Sequence, residues 1–449
     1  MSAASLPLGR ARGARAKKRT KKRARPLSAE YNLMLTATLC LLALGVVMVF
    51  SASSTTRVLS NGGLSDSAFY LKRTLMFGAV GLLIMHLTAR HGLKLVRDLT
   101  PALLGVSIFL LVAVLAVGTE VNGASRWIGG GFLQIQPSEL AKVALVLYGA
   151  DLIARKPKRA RSLEGIMPLL LVAGASCLLI MLEPDMGTTM VIAFAVGATL
   201  IAGGARPADL GKVALAIGVL ALLMTIVEPY RMARLTGFLN PGDAVEGAGF
   251  QAAQAKIAIG SGGLFGKGIV HGVAKAFYLP EAHTDMISAV IGEELGFVGL
   301  AGVVGLFAMF GYAGLKVAQR ARDNYTKLLV AGLTSLIVVQ AIINLFAVMG
   351  LAPLTGVPLP FVSYGNSSLI ASLFAVGLIL NVARGGTARA ARAGTPTRAG
   401  KLRVVEGGRS PARERSRSSG ARKAKSGGGG GGNRGARRAR HGGRRRASG

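Results

Sequence analysis

The chain has 449 residues, of which 51% are hydrophobic and 16% charged, and its 54 Lys and Arg against 20 Asp and Glu give a formal net charge of +34. Thirty of those basic residues and three of the acidic ones lie in residues 1–30 and 384–449, so the apolar character and the excess charge occupy different stretches. This excludes a soluble globular enzyme for residues 31–383, where apolar runs of membrane-spanning length recur. Five scattered His and two Cys exclude a Cys/His metal cluster.

Residues 1–30 form a basic, low-complexity tail, expected to be disordered and cytoplasmic. The first apolar run begins near Leu33 and no small-residue cleavage site follows a short core, so it is expected to stay as a helix. Ten spans are predicted, at 31–53, 74–89, 101–118, 138–154, 166–183, 188–204, 210–227, 287–314, 326–349 and 363–383. Most reach or approach the roughly 20 residues that cross hydrocarbon. Cys40 and Cys177 fall inside apolar runs and read as packing residues.

The basic residues orient these spans. Arg90, Lys94 and Arg97 follow the second, Arg155 to Arg161 the fourth, Arg206 and Lys212 the sixth, and Lys316 to Lys327 the eighth. With ten spans all of these, and both tails, lie on one side. The predicted fold is therefore an all-α polytopic membrane protein with about ten transmembrane helices and both termini cytoplasmic. One large extracytoplasmic loop, about 228–286, joins helices seven and eight. The Gly/Arg-rich tail 384–449 is expected to be disordered and to meet anionic membrane lipids. It has no base-stacking aromatics, so no specific nucleic-acid partner is expected.

In this topology helices four, six, eight and ten begin on the outer face, each preceded or opened by polar and small residues. Such ends carry partial positive charge and unpaired N–H groups that favour anions, phosphates above all. Ordinary capping by Ser138, Thr284 and Ser363 is the better account of any single one, and a weaker account of four on one face. Glu139 and Lys142 share a helical face, either as a local ion pair or as part of a hydrated cavity. The run Gly260–Gly268 lacks Walker spacing and reads as flexible backbone making a close approach. With Thr284 as cap, Asp285 becomes the first helical residue, where the helix dipole alone could account for a carboxylate. Glu293 then shares its face about 12 Å deeper, as a positioning or structural group, whereas Asp285 at the rim is the better candidate for reactive chemistry.

The motifs Ser125–Tyr148, Glu183–Thr189, Arg234–Pro241, Lys256–Gly268, Phe277–Gly299 and Pro358–Ser368, in this order over residues 31–383, resemble the SEDS family (shape, elongation, division and sporulation) of integral-membrane peptidoglycan glycosyltransferases. The Pro-Glu-Ala-His-Thr-Asp and Ile-Gly-Glu-Glu-Leu-Gly forms are closer to its division branch than to its elongation branch. Asn366 departs from the pattern, which usually has a second Gly after Ser-Tyr-Gly. The resemblance implies polymerisation of lipid II, the undecaprenyl-pyrophosphate-linked disaccharide-pentapeptide, at the outer membrane face of the division septum. It carries the catalytic base onto Asp285.

Substrate-binding candidates are Arg126, Trp127, Glu139, Lys142, Asp185, Arg231, Arg234, Lys256, Lys267, His283, Glu293, Ser363, Tyr364, Gly365 and Ser367, with the cations facing leaving-group charge. No protein metal site is predicted, although a divalent cation (Mg²⁺ or Mn²⁺) is possible. The implied partners are a class B penicillin-binding protein transpeptidase and other divisome proteins. The alternatives are a lipid II flippase, an elongation or sporulation paralogue, and a non-catalytic division scaffold. A transporter needs polar groups through the midplane, whereas here they concentrate at the outer ends, which favours the enzyme.

Overall fold

The computed structural model describes residues 28–60, 69–121, 124–130, 134–239, 247–277, 279 and 281–385, so nearly all of both predicted tails lies outside the described residues. In chain order the elements are α1 (Ala29–Ser60), α2 (Phe69–Leu87), α3 (Leu93–Val117), β1 (Thr119–Val121), β2 (Ala124–Trp127), α4 (Pro137–Arg155), α5 (Leu163–Leu182), α6 (Met186–Ala202), α7 (Pro207–Val227), α8 (Pro229–Leu239), α9 (Gly247–Ser261), α10 (Ala274–Phe277), α11 (Ile287–Arg320), α12 (Asn324–Val348) and α13 (Asn366–Ala383). A π-helical turn, Thr88–Gly92, makes α2 and α3 continuous, and a 3₁₀ turn, Pro157–Arg161, links α4 to α5.

A helix covers at least most of each of the ten predicted stretches. Among the described residues, seven stretches are long and apolar enough to cross a membrane, one of them, Phe69–Val117, containing both α2 and α3. The remaining two helices fall short for visible reasons. The apolar α6 has only 17 residues, and α4 carries Glu139, Lys142, Asp151 and Arg155. Two features differ from the sequence reading. The connection 228–286, read as a loop between spans, holds three helices, α8, α9 and α10, among its described residues. The all-α expectation omits an antiparallel hairpin, β1 with β2, whose strands flank Asn122-Gly123, a dipeptide typical of tight hairpins.

The core is built on α12, which packs against α11, α6, α4 and α13, while α1 and α9 lie on α11, α2 on α13 and α3 on α4. Of the apolar window of α12, 78% is buried, against 6% for α7, whose one buried residue is Thr225. Between helices in lipid, close packing and interhelical hydrogen bonds hold the assembly, because acyl chains compete equally for apolar surface. Cys40 and Cys177 are both free thiols.

Helix α11 is broken at Gly296, whose φ of 66° and ψ of −162° lie in a region essentially restricted to glycine. The turn after α9 repairs the break. The N–H groups of Phe297 and Val298 donate to the carbonyls of Gly263 (2.9 Å) and Leu264 (3.1 Å), and those of Lys267 and Gly268 donate to the carbonyls of Glu293 and Glu294 (both 3.0 Å). The glycine-rich run thus makes its close approach to α11 itself. A broken helix persists at membrane depth only where other backbone satisfies its polar groups in this way.

The predicted caps shift. Ser138 lies inside α4, because Pro137 occupies the first helical position, where its missing N–H costs nothing, and Gln136 precedes it. Met286 rather than Thr284 precedes α11, so Asp285 stands in the turn before the helix. Gly365 rather than Ser363 precedes α13.

Candidate active site

Four helix starts are tied together by hydrogen bonds between distant parts of the chain. Before α4, Gln136 donates its backbone N–H to Ser367 Oγ in α13 (3.1 Å) and its side-chain amide to Asp185 Oδ2 before α6 (3.3 Å). Asp185 Oδ1 accepts the Thr188 N–H (2.9 Å), an N-cap that satisfies one of the unpaired donors of α6. Before α13, the Tyr364 N–H donates to the His283 carbonyl (2.9 Å), which joins α13 to the turn leading into α11. The expected convergence of polar helix starts is therefore a bonded assembly, in which capping and clustering occur together.

Asp285 sits in that turn, partly exposed. Its backbone is held from behind by α12. Asn344 donates through Nδ2 to the Asp285 carbonyl (2.8 Å) and to the Val357 carbonyl (2.8 Å), while its oxygen accepts from Ser288 Oγ (2.9 Å). Gly356, at φ 71°, lets the loop before α13 pass close by. A Cβ there would stand 3.8 Å from Asp285 Oδ2 and 3.9 Å from Arg234 Nη1, so carboxylate and guanidinium flank one small gap. Desolvation by surrounding protein raises the Asp285 carboxyl above its ordinary range, with Glu281 adding to the effect and the backbone, Thr284 and Arg234 opposing it. The Thr284 hydroxyl lies within hydrogen-bond distance of both carboxylates, Glu281 Oε2 and Asp285 Oδ1, each at 3.2 Å.

Beyond Arg234 a cavity of about 680 Å³ runs between α6, α7, α8 and α12. Its wall is apolar over Met190, Phe194, Leu222, Ile343 and Phe346, and Arg231 and Arg234 stand in it with Pro353 to Thr355. Both arginines are aimed by carbonyls. Arg231 donates to Met224 (3.1 Å) and Met181 (2.8 Å), and Arg234 to Leu354 (3.0 Å). Arginine has five N–H donors, so two such bonds fix the Arg231 fork and leave donors for an anion.

The other predicted residues divide by what they touch. His283 lies two residues before Asp285 and Tyr364 is bonded to the His283 carbonyl, their rings 5.5 Å apart and each against Tyr70 (4.4 and 4.9 Å). Ser363 Oγ accepts the Leu359 N–H (2.7 Å), and Gly365 is extended backbone before α13, so both shape the loop. Arg126 donates to the Glu183 and Pro184 carbonyls and so braces the start of α6, while Trp127 pairs with Thr119 in the hairpin.

Glu139 and Lys142 form a buried ion pair at 2.9 Å, the first of the two alternatives for them. Lys142 also donates to Gln340 Oε1 (2.7 Å), whose amide reaches the Pro358 carbonyl (2.9 Å). Lys267 pairs with Glu293 (2.9 Å), and Glu293 also accepts the Val273 and Ala274 N–H groups, a clamp on the broken helix apart from the cavity. Lys256 is exposed on α9 and packs against Gly350.

Sequence reasoning missed several partners. Arg73, buried on α2, lies beside the Tyr364 ring and within reach of Asn366; with the Asn366 amide turned so that its oxygen meets the guanidinium, it accepts from Nε (2.8 Å) and Nη2 (3.1 Å). Asn366 is helical, so the departure from the family pattern needs no left-handed backbone. Gln340 and Asn344 were legible as two polar residues four apart in an apolar span. Glu183 is buried with neither carboxyl oxygen hydrogen-bonded among the described residues, and desolvation and the nearby Asp185 push it up to about 8 against the opposing Arg126. Among the described residues no group of three or more His, Cys, Asp or Glu could hold a metal ion.

Comparison with known proteins agrees with this architecture. A family model described as "Cell cycle protein", covering FtsW, RodA and SpoVE, matches residues 31–387. A probable peptidoglycan glycosyltransferase FtsW of Trichlorobacter lovleyi is 41% identical over 364 residues, 80% of this chain and 94% of its own length. Stage V sporulation protein E of Bacillus subtilis is 39% identical over 358 residues, 78% of this chain and 96% of its own. Among solved structures, a chain from a peptidoglycan synthase complex that coordinates polymerization and crosslinking superposes with a TM-score of 0.63 at 29% identity, covering 79% of this chain and 97% of that one. The rod shape determining protein RodA of Thermus thermophilus gives 0.58 at 30%, covering 79% and 96%.

Proposed function

The chain belongs to the SEDS family of FtsW, RodA and SpoVE proteins, and we propose how it works as a membrane-embedded peptidoglycan glycosyltransferase: Asp285 is the general base that polymerises lipid II. The observation that carries this reading is the juxtaposition, across Gly356, of Asp285 with Arg234, which lines an apolar cavity together with Arg231. A lipid-linked sugar pyrophosphate has the matching parts. Its polyprenyl chain suits the apolar wall, its pyrophosphate suits the two guanidiniums, and its sugar would then lie toward Asp285.

In the reaction the 4-hydroxyl oxygen of one glycan attacks the anomeric carbon of the lipid-linked donor. The bond from that carbon to the pyrophosphate oxygen breaks, undecaprenyl pyrophosphate leaves with the bonding electrons, and the hydroxyl proton passes to Asp285. The leaving group is already stable, so one carboxylate suffices and no paired acid is needed. Arg231 and Arg234 stabilise the charge that develops on it. A raised carboxyl is a stronger base once ionised, which suits proton removal. The protein groups here do not build a divalent-cation site by themselves, since the two carboxylates that meet at Thr284 have a guanidinium close by.

The basic loops set the remaining assignments. Ten crossings with both ends cytoplasmic would put Asp285 on the outer face of the cell membrane, where the division branch would act at the septum with a class B penicillin-binding protein and other divisome proteins. The test is purified full-length protein supplied with lipid II, with and without that transpeptidase. Asp285→Ala should retain its thermal unfolding profile and lose polymerisation by about 10²–10⁴-fold, the range for removal of a general base. Wild-type rates in that variant would remove Asp285 from the role, and lipid II movement across vesicles without polymerisation would favour a flippase.

A further inference from the structure

On the face that carries the basic loops a second cavity, of about 380 Å³, opens between the 3₁₀ turn, the end of α6 and the start of α12. It belongs to a different part of the molecule from the site above. Leu328 in its wall and Asn344 behind Asp285 are 16 residues apart on α12, roughly 24 Å along a helix rising 1.5 Å per residue. Its lining is apolar at Ile153, Ala202 and Leu328 and cationic at Lys158, Arg161 and Lys327.

The three cations come from two separate elements and are all exposed, and among the described residues none is in an ion pair. Nearby carboxylates are already engaged. Asp151 is held by Arg97 (2.8 Å) and Arg155 (2.6 Å), and Asp323 by the Thr326 N–H (3.2 Å) and hydroxyl (2.7 Å). Three like charges converging on a concave surface repel one another and focus a positive potential there, which an anion relieves. The apolar lining beneath them suits an amphiphile better than a free ion. Ile201, next to Ala202 in the chain, is 66% exposed, an apolar side chain suited to acyl chains.

We propose that this pocket binds a phosphate-bearing anion, the headgroup of an anionic membrane lipid such as phosphatidylglycerol, with the phosphate held by Lys158, Arg161 and Lys327. Its volume lies within the about 300–1,000 Å³ of small-ligand clefts, and basic pockets between membrane helices are suited to such headgroups. In the topology above it lies on the cytoplasmic leaflet, so the lipid would act on the helix ends α4, α6 and α12 without touching the reacting sugar.

The tails also attract anionic lipid, so the test must resolve individual lysines. Full-length protein in neutral detergent is acylated with an N-hydroxysuccinimide ester while phosphatidylglycerol, phosphatidylcholine or inorganic phosphate is titrated in, and each lysine is quantified by mass spectrometry. Lys158 and Lys327 should be protected at about tenfold lower phosphatidylglycerol than the tail lysines Lys423 and Lys425, and not by phosphatidylcholine. Arg161→Gln should weaken protection of both by about tenfold, with the unfolding temperature unchanged. Protection by phosphatidylglycerol alone assigns the lipid headgroup; equal protection by inorganic phosphate assigns a soluble phosphate to the same site. Protection no different from the tail lysines, or unaffected by Arg161→Gln, overturns the proposal.

Discussion

Asp285 and Glu183 are carboxylic acids at the ends of neighbouring polar turns, and burial raises both, yet their settings differ. Asp285 has a hydroxyl, an arginine and an opening beside it. Glu183 has neither oxygen bonded among the described residues, and its Arg126 neighbour is bonded to the main-chain carbonyls of Glu183 and Pro184 instead. A carboxyl pushed up to about 8 is mostly neutral in the folded state at pH 7 while the unfolded chain, near 4.5, is ionised. Folding then becomes less favourable as pH rises from about 4.5 to about 8, and levels off above that. Glu183→Gln keeps the shape and the neutral form. Thermal unfolding of this variant should fall less steeply with pH over that window than that of wild type, with Asp285 contributing what remains, and should lie several degrees higher than wild type at pH 8. An equally steep fall in both proteins would show that Glu183 does not stay neutral in the folded state over that window.

Among the elements, α11 concentrates the most specific construction. Gly296→Ala would force a side chain into a glycine-only region with a Cβ 2.4 Å from the Gly266 nitrogen, so a loss of about 1–3 kcal/mol is expected from the backbone alone, measured by denaturant or thermal unfolding in detergent. Just before the break, Glu294 takes a buried ion pair from Lys275 (2.5 Å) and a hydroxyl from Ser51 on α1 (2.7 Å). Glu294→Gln strands the Lys275 charge and should cost about 3–5 kcal/mol, whereas Glu294→Leu with Lys275→Met should cost far less, since apolar replacement of both partners restores a satisfied interior. A double variant as unstable as the single one would show that the charges are indispensable.

The element scale also shows what the sequence made legible. Apolar runs and basic loops located a helix at each of the ten stretches, including α4 despite its charges, because the signal is a repeated pattern rather than one threshold. They did not find α8 and α9, short helices whose interactions lie mainly with neighbouring elements. Asp285, Arg231 and Arg234 were legible as polar residues in recognisable motifs. Arg73 and Lys275 were not, since their meaning depends on Asn366 and Glu294, which lie elsewhere in the sequence. The same limit placed Lys267, Glu293, Glu139 and Lys142 among ligand candidates, although the structure ties each of them to another side chain.

For the whole molecule, charge and chemistry remain on different parts of the chain. Most of the +34 lies in the tails, and the proposed reaction uses a few groups at the other ends of the helices. Removal of residues 386–449 should leave lipid II polymerisation in neutral detergent within about twofold of wild type, while flotation with anionic vesicles should require lower salt, because screening weakens what charge remains. Loss of polymerisation in detergent would tie the tail to the reaction.

The bonds from Gln136 to Ser367 and from Tyr364 to His283 have a consequence for biosynthesis. Residues from four widely separated segments must meet before the polar helix starts around Asp285 are joined, and the last of them, α13, leaves the ribosome after every other described helix. A nascent chain that has inserted α1 to α12 already carries Asp285, Arg231 and Arg234 but lacks the partners Tyr364 and Ser367. On the proposed assignment, competence would be delayed until translation of the hydrophobic region is almost finished, and prematurely terminated products would occupy the membrane without a completed site.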